Sequence, residues 1–133
     1  MAWGRDSLDV LLVRRRKPPL KATADGLRVH GFLRHRSFLA GVAEGDYEPF
    51  YRFLFMDALA PGLTVVDGGA HIGLYTLVAA RAVGPSGSVL AFEPDPYNFA
   101  ALACNVEAAQ LQNVRLIPKA LSSLVGRAAF QQS

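Results

Sequence analysis

Two carboxylates and a glycine-rich turn are the residues of this 133-residue chain whose types and spacing could do chemistry. Asp67 ends the apolar run Leu63-Thr64-Val65-Val66 and is followed by Gly68-Gly69-Ala70-His71-Ile72-Gly73, while Glu93 ends the run Ser88-Val89-Leu90-Ala91-Phe92. An apolar run, an acid, a glycine-rich turn and then a helical pattern is the layout of a nucleotide-cofactor site at the carboxyl end of a parallel strand. An acid ending the second strand can accept both hydroxyls of a ribose. Glycines let the backbone approach a ligand closely, and exposed amides at a helix start favour a negatively charged group such as a carboxylate or phosphate. Unpaired acids at adjacent strand tips are costly without a ligand to use them.

Two cofactors fit this logic. A dinucleotide fingerprint needs glycines at the first, third and sixth positions, and Gly68-Gly69-Ala70-His71-Ile72-Gly73 has alanine at the third. The alternative is acid-x-Gly-x-Gly-x-Gly, read here as Asp67-x-Gly69-x-His71-x-Gly73, with His71 at the middle glycine. An acid directly before the turn favours a ligand that carries an amino group, as S-adenosylmethionine does.

The elements that must position these groups can be read in order. Residues 1–26 read as lacking regular structure, with breaks at Pro18-Pro19 and Asp25-Gly26. Leu27 to Val42 alternates partially, which suits one or two short strands. Asp46 could cap a helix whose apolar positions Tyr47, Phe50, Tyr51, Leu54, Phe55 and Leu59 share a face, and Pro61-Gly62 ends it. Then come a strand over Thr64–Asp67, a nearly all-apolar helix over Ile72–Val83 and a strand over Ser88–Phe92. Asp95-Pro96 is a helix start, and the helix places Phe99, Leu102, Ala103 and Val106 on one face. Gln112-Asn113 turns into a strand over Val114–Ile117, and Ala128-Ala129-Phe130 could open another. Strand–helix alternation with short connections implies α/β architecture with a parallel sheet. Continuous apolar strands imply burial on both faces.

Composition bounds the partners. One domain fits the length, and half the residues are apolar with 19% charged, as in a folded globular protein. No uncharged apolar stretch reaches the roughly 18 residues of a membrane span, and Met1-Ala2-Trp3-Gly4-Arg5-Asp6 lacks the order of a secretion signal. The single cysteine, Cys104, reads as helix packing and fits a reducing, cytoplasmic setting. Arg14-Arg15-Arg16-Lys17 supplies four of the 14 basic residues. Without interleaved aromatics it reads as a solvated flank, and no nucleic-acid partner is expected. His30 and His35 have no metal-ligand companions and read as surface residues, so no metal is expected.

The linked blocks are specific. Val66-Asp67-Gly68-Gly69-Ala70-His71-Ile72-Gly73-Leu74-Tyr75-Thr76-Leu77 resembles the first motif of the FkbM-type S-adenosylmethionine-dependent methyltransferases. The run from Gly84-Pro85-Ser86-Gly87 through Glu93-Pro94-Asp95-Pro96 to Asn98-Phe99 resembles the second block, and Asn105-Val106 with Asn113 to Ser122 the third. Tyr47-Glu48-Pro49 resembles the family's entry helix, which lies over the cofactor. The resemblance implies that Asp67 and the turn Gly68, Gly69, Ala70, His71 and Gly73 hold the methionine end of S-adenosylmethionine. It further implies that Glu93 binds the ribose hydroxyls, that Pro94 shapes that turn and that Ala120 and Leu121 lie near the adenine. His71 stands where the family usually has asparagine, and both can donate a hydrogen bond.

The resemblance implies a partial Rossmann-like methyltransferase fold. Residues 1–44 would form a basic extension, with possible short strands, and residues 45–133 an incomplete cofactor-binding domain. The family's later Asp-x-Glu-Gly strand has no counterpart in Leu124–Ser133, so the first core strand is expected to have an open edge. The implied function is methyl transfer to a hydroxyl of a small-molecule, sugar or lipid acceptor, with no general base identified and a complementing chain or homo-oligomer conceivable. The alternatives are a non-catalytic fragment or partner-binding module and, less favoured by the motif, an NAD-binding oxidoreductase domain.

Overall fold

The computed structural model describes residues 18–129. It opens on a hairpin, β1 (Leu20–Ala24) and β2 (Leu27–Gly31), followed by a 3-10 turn at Leu33–His35 and the helices α1 (Arg36–Glu44) and α2 (Pro49–Asp57). The core then alternates as β3 (Thr64–Gly68), α3 (Leu74–Val83), β4 (Ser88–Phe92), α4 (Pro96–Ala108) and β5 (Val114–Ile117). The three core strands form one parallel sheet in the order β3-β4-β5. This is the expected α/β arrangement, a partial Rossmann-like fold.

The first quarter of the described chain is more ordered than its composition suggests. β1 lies within the stretch expected to lack structure, because Asp25-Gly26 is a two-residue hairpin turn rather than a break. Both residues adopt positive φ, at 53° and 73°, as a tight hairpin requires. Only β2 of the expected strands between Leu27 and Val42 forms. Residues from Arg36 onward are helical, with Leu39 and Val42 buried on one face and Gly45 at φ 79° closing the end. The basic run Arg14–Lys17 and Phe130 lie outside the described residues. Ala128 and Ala129 are in no strand.

α2 also departs from expectation. Its cap is Glu48, in left-handed conformation with Pro49 at the first helical position, and Asp46 lies before it. No residue of α2 is buried. Phe55 packs on the core, while Phe50, Tyr51 and Phe53 are each about two-thirds exposed.

The sheet is covered on one face. Val89 and Ala91 alternate with half-exposed neighbours along β4, and their face is the one that α3 and α4 cover. The register puts Val66 beside Leu90 and Gly68 beside Phe92 on the other face, where Val66 is 57% exposed. The expectation of burial on both faces therefore fails for the described residues. The expected open edge is present: among them, β3 has a neighbour only in β4.

α3 is buried over Thr76–Ala80 because it is packed from several sides, by the sheet, α2 and β2. One apolar cluster joins Ala22, Val29 and Leu39 of the N-terminal segment to Ile72, Leu77, Ala91 and Leu102. The hairpin thus shares its core with the sheet. No helix among the described residues is long and apolar enough to cross a membrane.

Candidate functional site

The site lies where β3 and β4 end. Beyond Gly68 the chain turns back under β4, and the amides of Gly69 and Ala70 both donate to the Phe92 carbonyl at 2.9 Å. Gly69 stands at φ 81°, and a side chain there would meet nothing within 4 Å. The turn is therefore open space bounded by backbone. Gly73, at φ 99°, serves a different purpose: a Cβ there would lie 2.6 Å from Leu102 Cδ1, so glycine lets α3 start against α4.

Asp67 is half-buried and its Oδ2 accepts from Thr76 Oγ1 at 2.5 Å. Burial raises its pKa, against the lowering influence of the Thr76 hydrogen bonds. Glu93 is only 5% exposed, and both of its oxygens are engaged. Oε2 accepts from the His71 amide and Oε1 from the Asp95 amide, each at 2.8 Å. Burial raises its pKa too, with the two amides pulling the other way. Pro94 follows half-buried, and Asp95 caps α4 by accepting from the amides of Tyr97 and Asn98.

Four amides of the turn are engaged within the protein. The amides of Gly69 and Ala70 bind Phe92 O, that of His71 binds Glu93, and that of Gly73 binds Ala70 O at 2.9 Å. The turn folds over its own strand ends, so these donors are satisfied internally. The acceptors on offer are the Asp67 and Glu93 carboxylates. The two carboxylates suit a ligand that brings cationic or hydroxyl donors.

His71 adopts φ 53°, and its ring lies edge-on to His35 and Phe38, with centroids 5.2 and 4.7 Å away. His35 is buried, against the surface reading. Its Nδ1 accepts from the Phe32 amide at 3.0 Å and its Nε2 lies 2.9 Å from Asn98 Oδ1. Ala120 is exposed, and its neighbour Leu121 reaches back over Gly68, where a Cβ would lie 2.8 Å from Leu121 Cδ1. The structure thus brings Asp67, the turn, Glu93 and Leu121 together where β3 and β4 end. Beyond them Tyr75 Oη donates to Glu48 Oε2 at 2.8 Å, and burial and that carboxylate push the phenol upward.

Three residues within the motif blocks have parts in the site that the sequence did not assign. Thr76 positions Asp67, Asp95 completes the hold on Glu93, and Asn105 on α4 donates to Ile72 O at 2.7 Å. The available signal for Asn105 was a polar residue at a helix position surrounded by alanines and valine.

The histidine carries a pH signature. His71 titrates at about 4, below its usual 6.5, chiefly because burial disfavours the cation. The His35 and Arg34 charges add to this and Asp95 opposes it. A folded-state value below the unfolded one means that the neutral ring's contribution is complete above about pH 6.5 and is lost toward pH 4. Wild type is expected to lose on the order of 2–3 kcal/mol more than His71→Asn between pH 7 and pH 4, measured by urea unfolding. The difference between the two proteins reads His71, because Asp67 and Glu93, both raised, and His30 and His35, both lowered, titrate in wild type and variant alike. Equal losses would contradict the assignment.

Similarity to known proteins agrees with this geometry. The family model described as the methyltransferase FkbM domain matches residues 67–130, from the first acid to beyond Leu121. Residues 67–130 belong to the FkbM methyltransferase family. The 31-O-demethyl-FK506 methyltransferase FkbM of Streptomyces tacrolimicus is 40% identical over 75 residues, covering 50% of this chain and 28% of that protein. The tRNA (adenine(58)-N(1))-methyltransferase TrmI of Thermus thermophilus is 45% identical over 58 residues, covering 43% of this chain and 23% of that protein. The chain thus spans about a quarter of the length of these curated relatives. M. jannaschii TYW2, solved in complex with AdoMet, superposes with a TM-score of 0.61 over 78% of this chain and 44% of that one, at 21% identity. That likeness concerns the fold alone. The matched segment includes both acids, Asp67 in β3 and Glu93 directly after β4.

Proposed function

We propose that this chain is the cofactor-binding part of an S-adenosylmethionine-dependent methyltransferase acting on a hydroxyl of a small-molecule, sugar or lipid acceptor. The observation that carries the reading is the pair of carboxylates at adjacent strand tips, beside a glycine turn with four of its amides already engaged. S-adenosylmethionine brings an ammonium group and ribose hydroxyls, which are donors for these acids, and when bound it supplies a methyl group on a sulfonium. Asp67, oriented by Thr76, receives the ammonium. Glu93 receives the ribose hydroxyls on the lone pairs that its two amides leave available. Gly69 leaves room for the ligand, and the role of the fold is to hold the methyl group in line with the acceptor oxygen.

Calorimetric titration tests the cofactor. S-adenosylhomocysteine is expected to bind with micromolar affinity and NAD not at all. Binding of NAD alone would overturn the reading, and silence from both would favour a non-catalytic fragment.

One observation favours a second acceptor class. The hairpin register places Lys21 beside His30 and Thr23 beside Arg28 on its outer face, and the Arg28 and Lys21 charges help to lower the His30 pKa. A basic strip of this kind suits a phosphate backbone, and TrmI, by its name, is a tRNA methyltransferase. Methyl incorporation into unfractionated tRNA, absent with hydroxylated small molecules, would select it.

A further inference from the structure

The contacts around Glu93 close into a circuit that runs through the N-terminal segment. Glu93 Oε2 holds the His71 amide, and the His71 ring lies edge-on to His35 at 82°. His35 Nε2 meets Asn98 Oδ1, the Asn98 amide donates to Asp95 Oδ1 at 2.8 Å, and the Asp95 amide returns to Glu93 Oε1. Each carboxylate oxygen is one end of the same loop of contacts. We infer that His35 is a positioning residue of this site, fixing the His71 backbone and through it the orientation of the Glu93 carboxylate. The inference rests on the cofactor reading for its binding consequence, though not for its structural one.

The need for a brace follows from the backbone. His71 is a non-glycine residue at φ 53°, a sparsely populated conformation that persists only where its surroundings impose it. Among the described residues, the ring is held by its contacts with the rings of His35 and Phe38. Phe38 is itself set by Tyr47, with centroids 4.6 Å apart. His35 has no freedom to rotate. Its Nδ1 accepts from the Phe32 amide, so the proton sits on Nε2 and is donated to Asn98. A ring locked at both nitrogens is a rigid surface for a neighbour to lean on. A residue of the 3-10 turn after the hairpin thereby acts on an acid at the far end of the core motif.

The test compares His35→Ala and His35→Gln with wild type, by calorimetry with S-adenosylhomocysteine and by amide NMR. Glutamine can keep the donor to Asn98 while removing the ring that supports His71, so it serves if alanine fails to fold. A folded variant is expected to bind about tenfold more weakly. Its His71 amide resonance, displaced downfield by the carboxylate, should move upfield while the amides of β5 stay in place. A role confined to stability would lower the melting temperature and leave both readouts at their wild-type values, which would overturn the inference. If wild type itself does not bind the probe, the cofactor reading fails, and the His71 resonance alone decides the positioning claim.

Discussion

Replacing Glu93 with alanine is expected to weaken S-adenosylhomocysteine binding by about 10- to 100-fold, the loss of charged hydrogen bonds of roughly 1.5–3 kcal/mol. Two effects combine. The ribose loses its acceptor, and the amides of His71 and Asp95 lose theirs, so the turn between β3 and α3 is no longer tied to the start of α4. The second effect predicts a lower melting temperature as well, so affinity should be measured where circular dichroism shows the variant folded. A conserved affinity in a folded Glu93→Ala protein would remove Glu93 from the binding site.

The largest loss of stability is expected from Asn105→Ala. The Asn105 side chain is fully buried and makes three bonds to backbone: Nδ2 to His30 O at 2.8 Å and to Ile72 O at 2.7 Å, and Oδ1 from the His30 amide at 2.8 Å. It joins β2, α4 and the glycine turn at one point. Alanine would leave two carbonyls and an amide without partners and open a small cavity, at a cost of about 3 kcal/mol. That is a large share of the 5–15 kcal/mol typical of a folded domain. The urea midpoint should fall accordingly with little change in slope, whereas a change below about 0.5 kcal/mol would show that water replaces the amide. Asn105→Asp keeps the acceptor but loses both donations, so it should be no milder.

Legibility from sequence followed the range of the interactions. β3, β4 and β5 match the runs expected for them to within a residue, because apolar runs bounded by glycine and proline are local signals. α4 starts where Asp95-Pro96 said it should, and Asp95 does cap it through the Tyr97 and Asn98 amides. The hairpin was missed because Asp25-Gly26 reads equally well as a break, and the strand pattern of β1 is only five residues long. α2 was read as a helix with one apolar face, yet what its aromatics meet is set by tertiary packing that periodicity cannot report.

The same division holds at the site. Asp67 and Glu93 were visible as acids ending apolar runs, but their hydrogen-bond states were not. That the Gly69 and Ala70 amides are engaged depends on Phe92 O lying under them, a contact between neighbouring strands. His35 was read as a surface residue because its partners, Phe32, Asn98 and His71, come from three separate stretches of chain. A polar side chain is legible as a supporting group only once the fold has assembled its partners.

The account stands most directly on where the cofactor lies. Amide NMR of the nitrogen-15-labelled chain, titrated with S-adenosylhomocysteine, reads this residue by residue. The account predicts that the largest saturable shifts fall on Gly68, Gly69, Ala70, His71 and the Glu93–Asp95 stretch, with the β1–β2 hairpin little changed. Shifts concentrated elsewhere, or none at saturating ligand, would contradict it.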